Sequence, residues 1–341
     1  MSLRPRLSLT IALAAVFMLC TAPLNAGGLL PVAPEAVHAT LAKVHKRYQA
    51  DASGKVADYI PALAKADPNH FGLAIVTADG QTFTAGDTDV PFAIESISKV
   101  FALALAFEDA GRQAILDKVG VYHTGLPFNS AIASDVRQVK QQNPFVNVGA
   151  ITTTSFIRGK DSADKWKREK EKFSLFAGQE LSLNRIIFDS EEATNQHNRA
   201  LAWLFKSFGY LQGEPADAVN RYTRACSLEV SCLELAVMGA CLANGGVNPM
   251  TGRRAVKEEF VRDILSLMAI TGLYDASGPW FFRTGLPGKS GVGGGILAVV
   301  PGRFAIAAYS PPLDRFGNSV RGVRAVEALS DEWGLHLLGV R

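Results

Sequence analysis

Two pairs of β-rich runs stand near opposite ends of the chain, and most of what lies between them is patterned for helix. "FGLAIVTADGQTFTAGD" carries two such runs around Asp79-Gly80, a hairpin signal, and "GILAVVPGRFAIAAYS" carries two more folded at Pro301-Gly302. From Gly111 to about Thr271 the pattern is mostly helical, in "SEEATNQHNRALAWLFKSFG", "SCLELAVMGACLANGG" and "VKEEFVRDILSLMAI", each ending at or near a glycine. "EAVHATLAKVHKRY" reads as an opening helix, Tyr59 falls in a second short helical stretch, and "VRGVRAVEALSDEWGLHLL" closes the chain as a helix. Short strands cannot stay unpaired, so this order predicts an α/β (α+β type) fold. One antiparallel sheet is built from N- and C-terminal segments and flanked by helices, with a helical subdomain inserted. The sheet-containing part is expected at about 30–110 and 280–341, and the helical part at about 111–279.

The 341 residues are 48% hydrophobic and 20% charged, with a formal net charge of +3, which is ordinary for a soluble globular chain. Nothing in that balance asks for nucleic acid or an acidic membrane surface. The start, "MSLRPRLSLTIALAAVFMLCTAPLNAGG", has two arginines, an apolar run from about Leu7 to Cys20 and then small residues. That order predicts a signal peptide over 1–26 and a periplasmic or secreted product. The apolar run is shorter than the roughly 20 residues that span a bilayer, so no stable membrane insertion is expected after leader removal. Beyond Cys20 only Cys226, Cys232 and Cys241 remain. They form neither a disulfide framework nor a zinc spacing and read as buried small apolar residues, with a Cys226–Cys232 bridge left open.

Within "FAIESISKVFALALAFEDAG", residues 92–111, Ser96 and Lys99 lie one helical turn apart at the front of an apolar helix. A serine hydroxyl becomes a nucleophile when a base takes its proton, and a lysine serves as that base when burial or a nearby cation keeps it neutral. "GKSGVGGGILAVV" places Lys289 and a glycine cluster just before a strand, where a ligand can approach the backbone closely. Lys289 there resembles the K-T-G element that accompanies S-x-x-K in penicillin-recognising enzymes, although no "SDN" is present. In "DSEEATNQHNRALAWLF", Glu191 and Asn198 share one face of a continuous helix with Asn195 between them, an acid and amides suited to clamp an ammonium and a carboxylate. The histidines have no metal spacing, and none is needed.

From about Ala36 onward the chain resembles the serine-dependent glutaminases, relatives of the serine β-lactamases and D,D-peptidases. The resemblance rests on "GKVADYIPALAKADPN", "DVPFAIESISKVFALALAFEDAG", "NPFVNVGAI", "CSLEVSCLELAVMGACLANGGVNP", "GLYDASGPW" and "GLPGKSGVGGGILAVVPGRFAIAAYSPPLDRFGNSV". It implies a β-lactamase-like fold, a glutaminase domain over 30–341, and hydrolysis of L-glutamine to L-glutamate and ammonia through a glutamyl-serine ester, without metal or organic cofactor. By the same resemblance Ser96 is the nucleophile and Lys99 its base, and the N–H groups of Ser96 and Val292 form the oxyanion hole. Asn147, Glu191, Asn198 and Tyr222 hold the ends of the substrate, Tyr59 and Tyr274 line the site with Tyr274 relaying a proton, and Lys289 tunes charge. A homodimer or homotetramer is implied as well.

Three positions depart from the family pattern. Glu95 stands where glutamine usually precedes the nucleophile, and an added carboxylate there is expected to weaken binding of an anionic substrate or to raise the pKa of Lys99. Val148 replaces an alanine beside Asn147, and "YHTG" at 122–125 differs from the usual loop. A penicillin-recognising hydrolase and a non-catalytic amino-acid-binding relative are the alternative readings.

Overall fold

The computed structural model describes residues 28–123, 130 and 141–339. The expected leader therefore lies outside the described residues, as do the last two positions of the 122–125 loop. Among the described residues no helix is long and apolar enough to cross a membrane.

Helix α1 (Pro34–Tyr48) has proline in its first turn and leads into β1 (Gly72–Thr77) and β2 (Thr82–Gly86). The short β3 (Phe92–Ala93) precedes α2 (Ser98–Ala110) and α3 (Arg112–Lys118). The helical block continues with α4 (Asn147–Ser155), α5 (Ser162–Ala177), α6 (Arg185–Thr194), α7 (Gln196–Ser207) and α8 (Pro215–Cys226). After β4 (Glu229–Val230) come α9 (Cys232–Ala243), α10 (Glu258–Thr271) and α11 (Ser277–Thr284). Strands β5 (Gly288–Ser290), β6 (Gly295–Val300) and β7 (Phe304–Tyr309) precede α12 (Val320–Trp333).

The five-stranded sheet has the order β2-β1-β7-β6-β5, with every neighbouring pair antiparallel. Strand β1 pairs with β7 from Gly72↔Tyr309 to Thr77↔Phe304, which joins the two ends of the chain as the sequence predicts. Both hairpins fold where the turn residues stand, at Asp79-Gly80 and Pro301-Gly302. Strands β1, β6 and β7 are buried at every position because helices cover both faces, so their sequences read as continuous apolar runs. Helix α9 packs on one face, with α2 and α10 adding to that core, and α1 and α12 cover the other. Helix α9 is started by a capping box in which Ser231 and Glu234 each accept from the other's backbone N–H.

Two local expectations are corrected. The stretch expected as one helix from Ser190 breaks at Asn195, which lies between α6 and α7 with φ −91° and ψ 18°. Asparagine's side chain competes for backbone hydrogen bonds, and here its amide is taken by Thr223 of α8 at 2.7 Å. Tyr59 lies in a turn before a short 3₁₀ segment, Leu63–Lys65, rather than in a helix. Cys226, Cys232 and Cys241 are all free and buried, as the packing reading held, and the bridge left open is not formed.

Candidate active site

The front of α2 is built against the end of the sheet. After β3 the chain makes a 3₁₀ turn, Glu95–Ile97, and only then enters α2, so Ser96 sits in the turn and Lys99 in the first turn of the helix. Among the described residues the only non-glycine positions with positive φ are Glu95 at 51° and Tyr274 at 54°. Left-handed backbone at a glutamate and a tyrosine is strained, and both of these residues flank Ser96. The loop from Gly291 to Gly294, closed by Gly294 N–H to Gly291 O at 3.0 Å, lies directly over this turn. A Cβ on Gly293 would stand 2.4 Å from the carbonyl oxygen of Ala93, so only glycine lets the loop carry Val292 this close. Ala57, Ile60, Leu63, Ala93, Val292 and Leu313 form the small apolar cluster that supports the arrangement.

Ser96, Glu95, Val292, Asn147, Glu191, Asn195, Asn198, Tyr222 and Tyr59 line one pocket of about 300 Å³. That is the lower end of the volumes, about 300–1,000 Å³, in which small ligands are held. Tyr59 is 58% exposed and forms the rim, whereas Ser96, Lys99, Tyr222, Tyr274 and Lys289 are buried. The break at Asn195 does not scatter the acid and amide stripe, because Glu191 on α6 and Asn198 on α7 both reach this pocket.

A run of hydrogen bonds joins the groups. Lys99 Nζ donates to Asn147 Oδ1 at 2.7 Å, and the Tyr222 hydroxyl donates to the same oxygen at 3.2 Å. Asn147 Nδ2 donates to Asn198 Oδ1 at 3.2 Å, and Asn198 Nδ2 donates to Asn195 Oδ1 at 2.6 Å. On the other side, Ser96 hydrogen-bonds the Tyr274 side chain. The Tyr274 hydroxyl points to Ser290 O at 3.4 Å, and Lys289 Nζ donates to that carbonyl at 2.7 Å while lying 4.3 Å from the centroid of the Tyr274 ring.

Burial dominates the electrostatics. It pulls the pKa of Lys99 down to about 8, with Glu191 among the groups that oppose the fall. Burial, and then the neighbouring Lys99, holds Lys289 well below the usual lysine range. The Tyr274 phenol is pushed up by burial and stays protonated. Glu191 is raised to about 7 by burial, although hydrogen bonds from Glu95 and Ser227 and the charge of Lys99 oppose the rise. Glu95 is raised well above the carboxylate range, first by burial and then by Glu191.

Sequence reasoning missed the end of α8, where Ser227 Oγ points to Glu191 at 3.4 Å and Cys226 Sγ lies 3.6 Å from Ser98 Oγ. The signal was present, since Cys226 follows Tyr222 by one helical turn and faces the same way. One oxygen each from Glu95 and Glu191 lies within 4.8 Å of the Cys226 sulfur, the one grouping among the described residues with the makings of a cation site. Two features oppose that use. Burial raises both carboxyl groups above the usual carboxylate range, and it keeps the Cys226 thiol protonated.

The family model for glutaminase matches residues 54–338. The chain belongs to the glutaminase family. A glutaminase from Brucella canis is 51% identical over 307 residues, covering 90% of this chain and 97% of that protein. One from Mycobacterium ulcerans is 48% identical over 296 residues, covering 87% and 92%. Among solved structures, the probable glutaminase ybaS superposes with a TM-score of 0.89 at 46% identity, covering 91% of this chain and all of that one. The probable glutaminase from Bacillus subtilis, complexed with 6-diazo-5-oxo-L-norleucine, gives 0.82 at 30% identity, covering 90% and 97%. These glutaminases share the β-lactamase-like fold expected from the sequence, and the chain is a glutaminase rather than a penicillin-recognising enzyme.

Proposed function

We propose that this glutaminase hydrolyses L-glutamine to L-glutamate and ammonia through an ester on Ser96. Ser96 Oγ attacks the side-chain amide carbon while Lys99, its pKa lowered to about 8, takes the hydroxyl proton. The N–H groups of Ser96 and Val292 receive the developing oxyanion. Tyr274, beside Ser96, relays to the departing nitrogen the proton that Lys99 took from Ser96, so that ammonia rather than an amide anion leaves and Lys99 is free once more. Water then attacks the ester with Lys99 again as base, and glutamate is released. Lys289 lies near Lys99, and the repulsion between two ammonium groups side by side disfavours charging both, which favours the free amine on Lys99.

Glu191 is assigned the α-ammonium, and Asn147, Asn198 and Tyr222 are assigned the α-carboxylate and the orientation of the substrate. Tyr59 closes the rim. The observation that carries this reading is the link from Lys99 to Asn147, which ties the reacting end of the pocket to its acid and amide end. No metal or organic cofactor enters any step.

The test is ammonia release from leaderless protein given L-glutamine, L-asparagine or D-glutamine, beside Ser96→Ala. Turnover of L-glutamine that falls about a thousandfold or more in the variant supports the ester route. Equal turnover by the two proteins rejects it, and no turnover by either favours a non-catalytic binder. Covalent labelling by 6-diazo-5-oxo-L-norleucine, mapped to Ser96 by peptide mass, gives a second readout. We also propose export by the leader over 1–26 and a homodimer or homotetramer. N-terminal sequencing of the exported protein and sedimentation analysis test these two.

A further inference from the structure

Glu95 is the residue of the pocket that the reaction above leaves without a task. Its side chain is buried, it lines the pocket, and it stands on strained backbone immediately before the nucleophile. One of its carboxyl oxygens lies within 4.8 Å of one from Glu191, which is on a different element, α6. Two carboxyl groups buried this close repel one another when both are ionised, which favours a proton on one of the pair. The other oxygen of Glu95, Oε1, is buried without a hydrogen-bond partner, whereas Glu191 also receives Ser227 Oγ. An unpartnered buried oxygen is tolerable on a neutral acid and costly on an anion, so the charge belongs on Glu191 and the proton on Glu95.

The surroundings agree. The titratable groups facing the pair are Lys99 on α2, Cys226 and Tyr222 on α8, Tyr59 at the rim and Tyr274 beyond Ser96, with Glu192 adjoining Glu191 and His197 across the pocket. Among the described residues the cation that bears on both carboxyl groups is Lys99, and its hydrogen bond goes to Asn147. The loop covering the Glu95 stem, Gly291 and Gly293, brings no charge.

We propose that Glu95 is a neutral carboxylic acid that shares its proton with Glu191 and so positions the Glu191 carboxylate for the substrate's α-ammonium. The second clause rests on the glutamine reading given above, and the first does not. The pair then offers one negative charge to one ammonium. Glu95 adds none that would repel the α-carboxylate or recharge Lys99, and as a neutral acid it carries no more charge than the glutamine of the usual family pattern. Glu95 is a positioning residue, acting through Glu191.

The test has a substrate-free and a kinetic arm. In the infrared difference between wild type and Glu95→Gln at pH 9, where Glu169, raised to about 7, is ionised, a protonated-carboxyl carbonyl band is expected in wild type and lost in the variant. Should Glu95→Gln fail to fold, the same band in a pH titration of wild type decides. In kinetics, Glu95→Leu is expected to raise KM about tenfold with kcat less affected, because a hydrogen bond to a charged group is lost, and Glu95→Gln is expected to restore most of it. The pH at which kcat/KM rises stays in place in Glu95→Gln. Absence of the carboxyl band, or a rise moved to lower pH in Glu95→Gln, shows a charged Glu95 and overturns the proposal. An unchanged KM in Glu95→Leu overturns the positioning role. A band present in a wild type that does not turn over glutamine supports the shared proton and rejects only the glutamine reading.

Discussion

Lys99 donates to the side-chain oxygen of Asn147 across 2.7 Å, so the proposed base and an amide assigned to the substrate are one hydrogen bond apart. Tyr222 donates to that same oxygen at 3.2 Å, which fixes the amide with its oxygen toward Lys99 and its nitrogen toward Asn198. Replacing Asn147 by Asp puts an anion against the lysine and favours its protonated form. The expected outcome is a rise of kcat/KM displaced to higher pH by about one unit or more, read from a pH–rate profile.

The wild-type profile follows from the base itself. A lysine whose pKa is lowered to about 8 is protonated below that pH and free above it, so kcat/KM for glutamine climbs as pH passes through about 8. Lys99→Ala removes the base and is expected to reduce kcat by about a hundred- to ten-thousandfold. A profile flat from pH 6 to 9 in wild type would contradict the assignment of Lys99.

Gly293→Ala tests the close approach of the loop to β3. Its Cβ would fall 2.4 Å from Ala93 O, which the loop can relieve only by moving Val292 away from Ser96. Loss of one oxyanion donor costs about a hundred- to thousandfold in kcat, and that is the expected drop, with KM changed less. Initial-rate kinetics on the folded variant, verified by circular dichroism, check it.

Stability has a different anchor. Arg221 is buried and pairs with Glu169 of α5, with Asp217 at 2.9 Å and with Thr154 O of α4 at 3.2 Å, one residue before Tyr222. Arg221→Ala leaves the buried Glu169 without its cation, and a loss of about 3–5 kcal/mol is expected in denaturant unfolding.

The sheet and its hairpins were legible because strands covered on both faces must be apolar throughout, and because Asp79-Gly80 and Pro301-Gly302 mark the folds. Ser96, Lys99, Asn147, Glu191, Asn198, Tyr222 and Val292 were legible as candidates, and the structure gathers them at one pocket or its wall. The break at Asn195 was not legible, because its cause is the hydroxyl of Thr223 on another helix. The partnership of Glu95 with Glu191 was equally hidden, since local pattern cannot show that two carboxyl groups from β3–α2 and α6 meet. Read as a free charge, Glu95 looked like a hindrance to an anionic substrate; buried against Glu191, it has a proton to offer.

The pairing of β1 with β7 has a consequence for the order in which the molecule can come into being. Strand β1 sits inside the sheet, yet its partner on one side is made only when the chain is nearly finished. Until then one edge of β1 has no neighbour, and the loop bearing Val292 has no platform beside Ser96. Long-range pairings of this kind close slowly. A nascent chain therefore remains pliable until β7 has emerged, and the Val292 loop settles over Ser96 only once these late strands have paired.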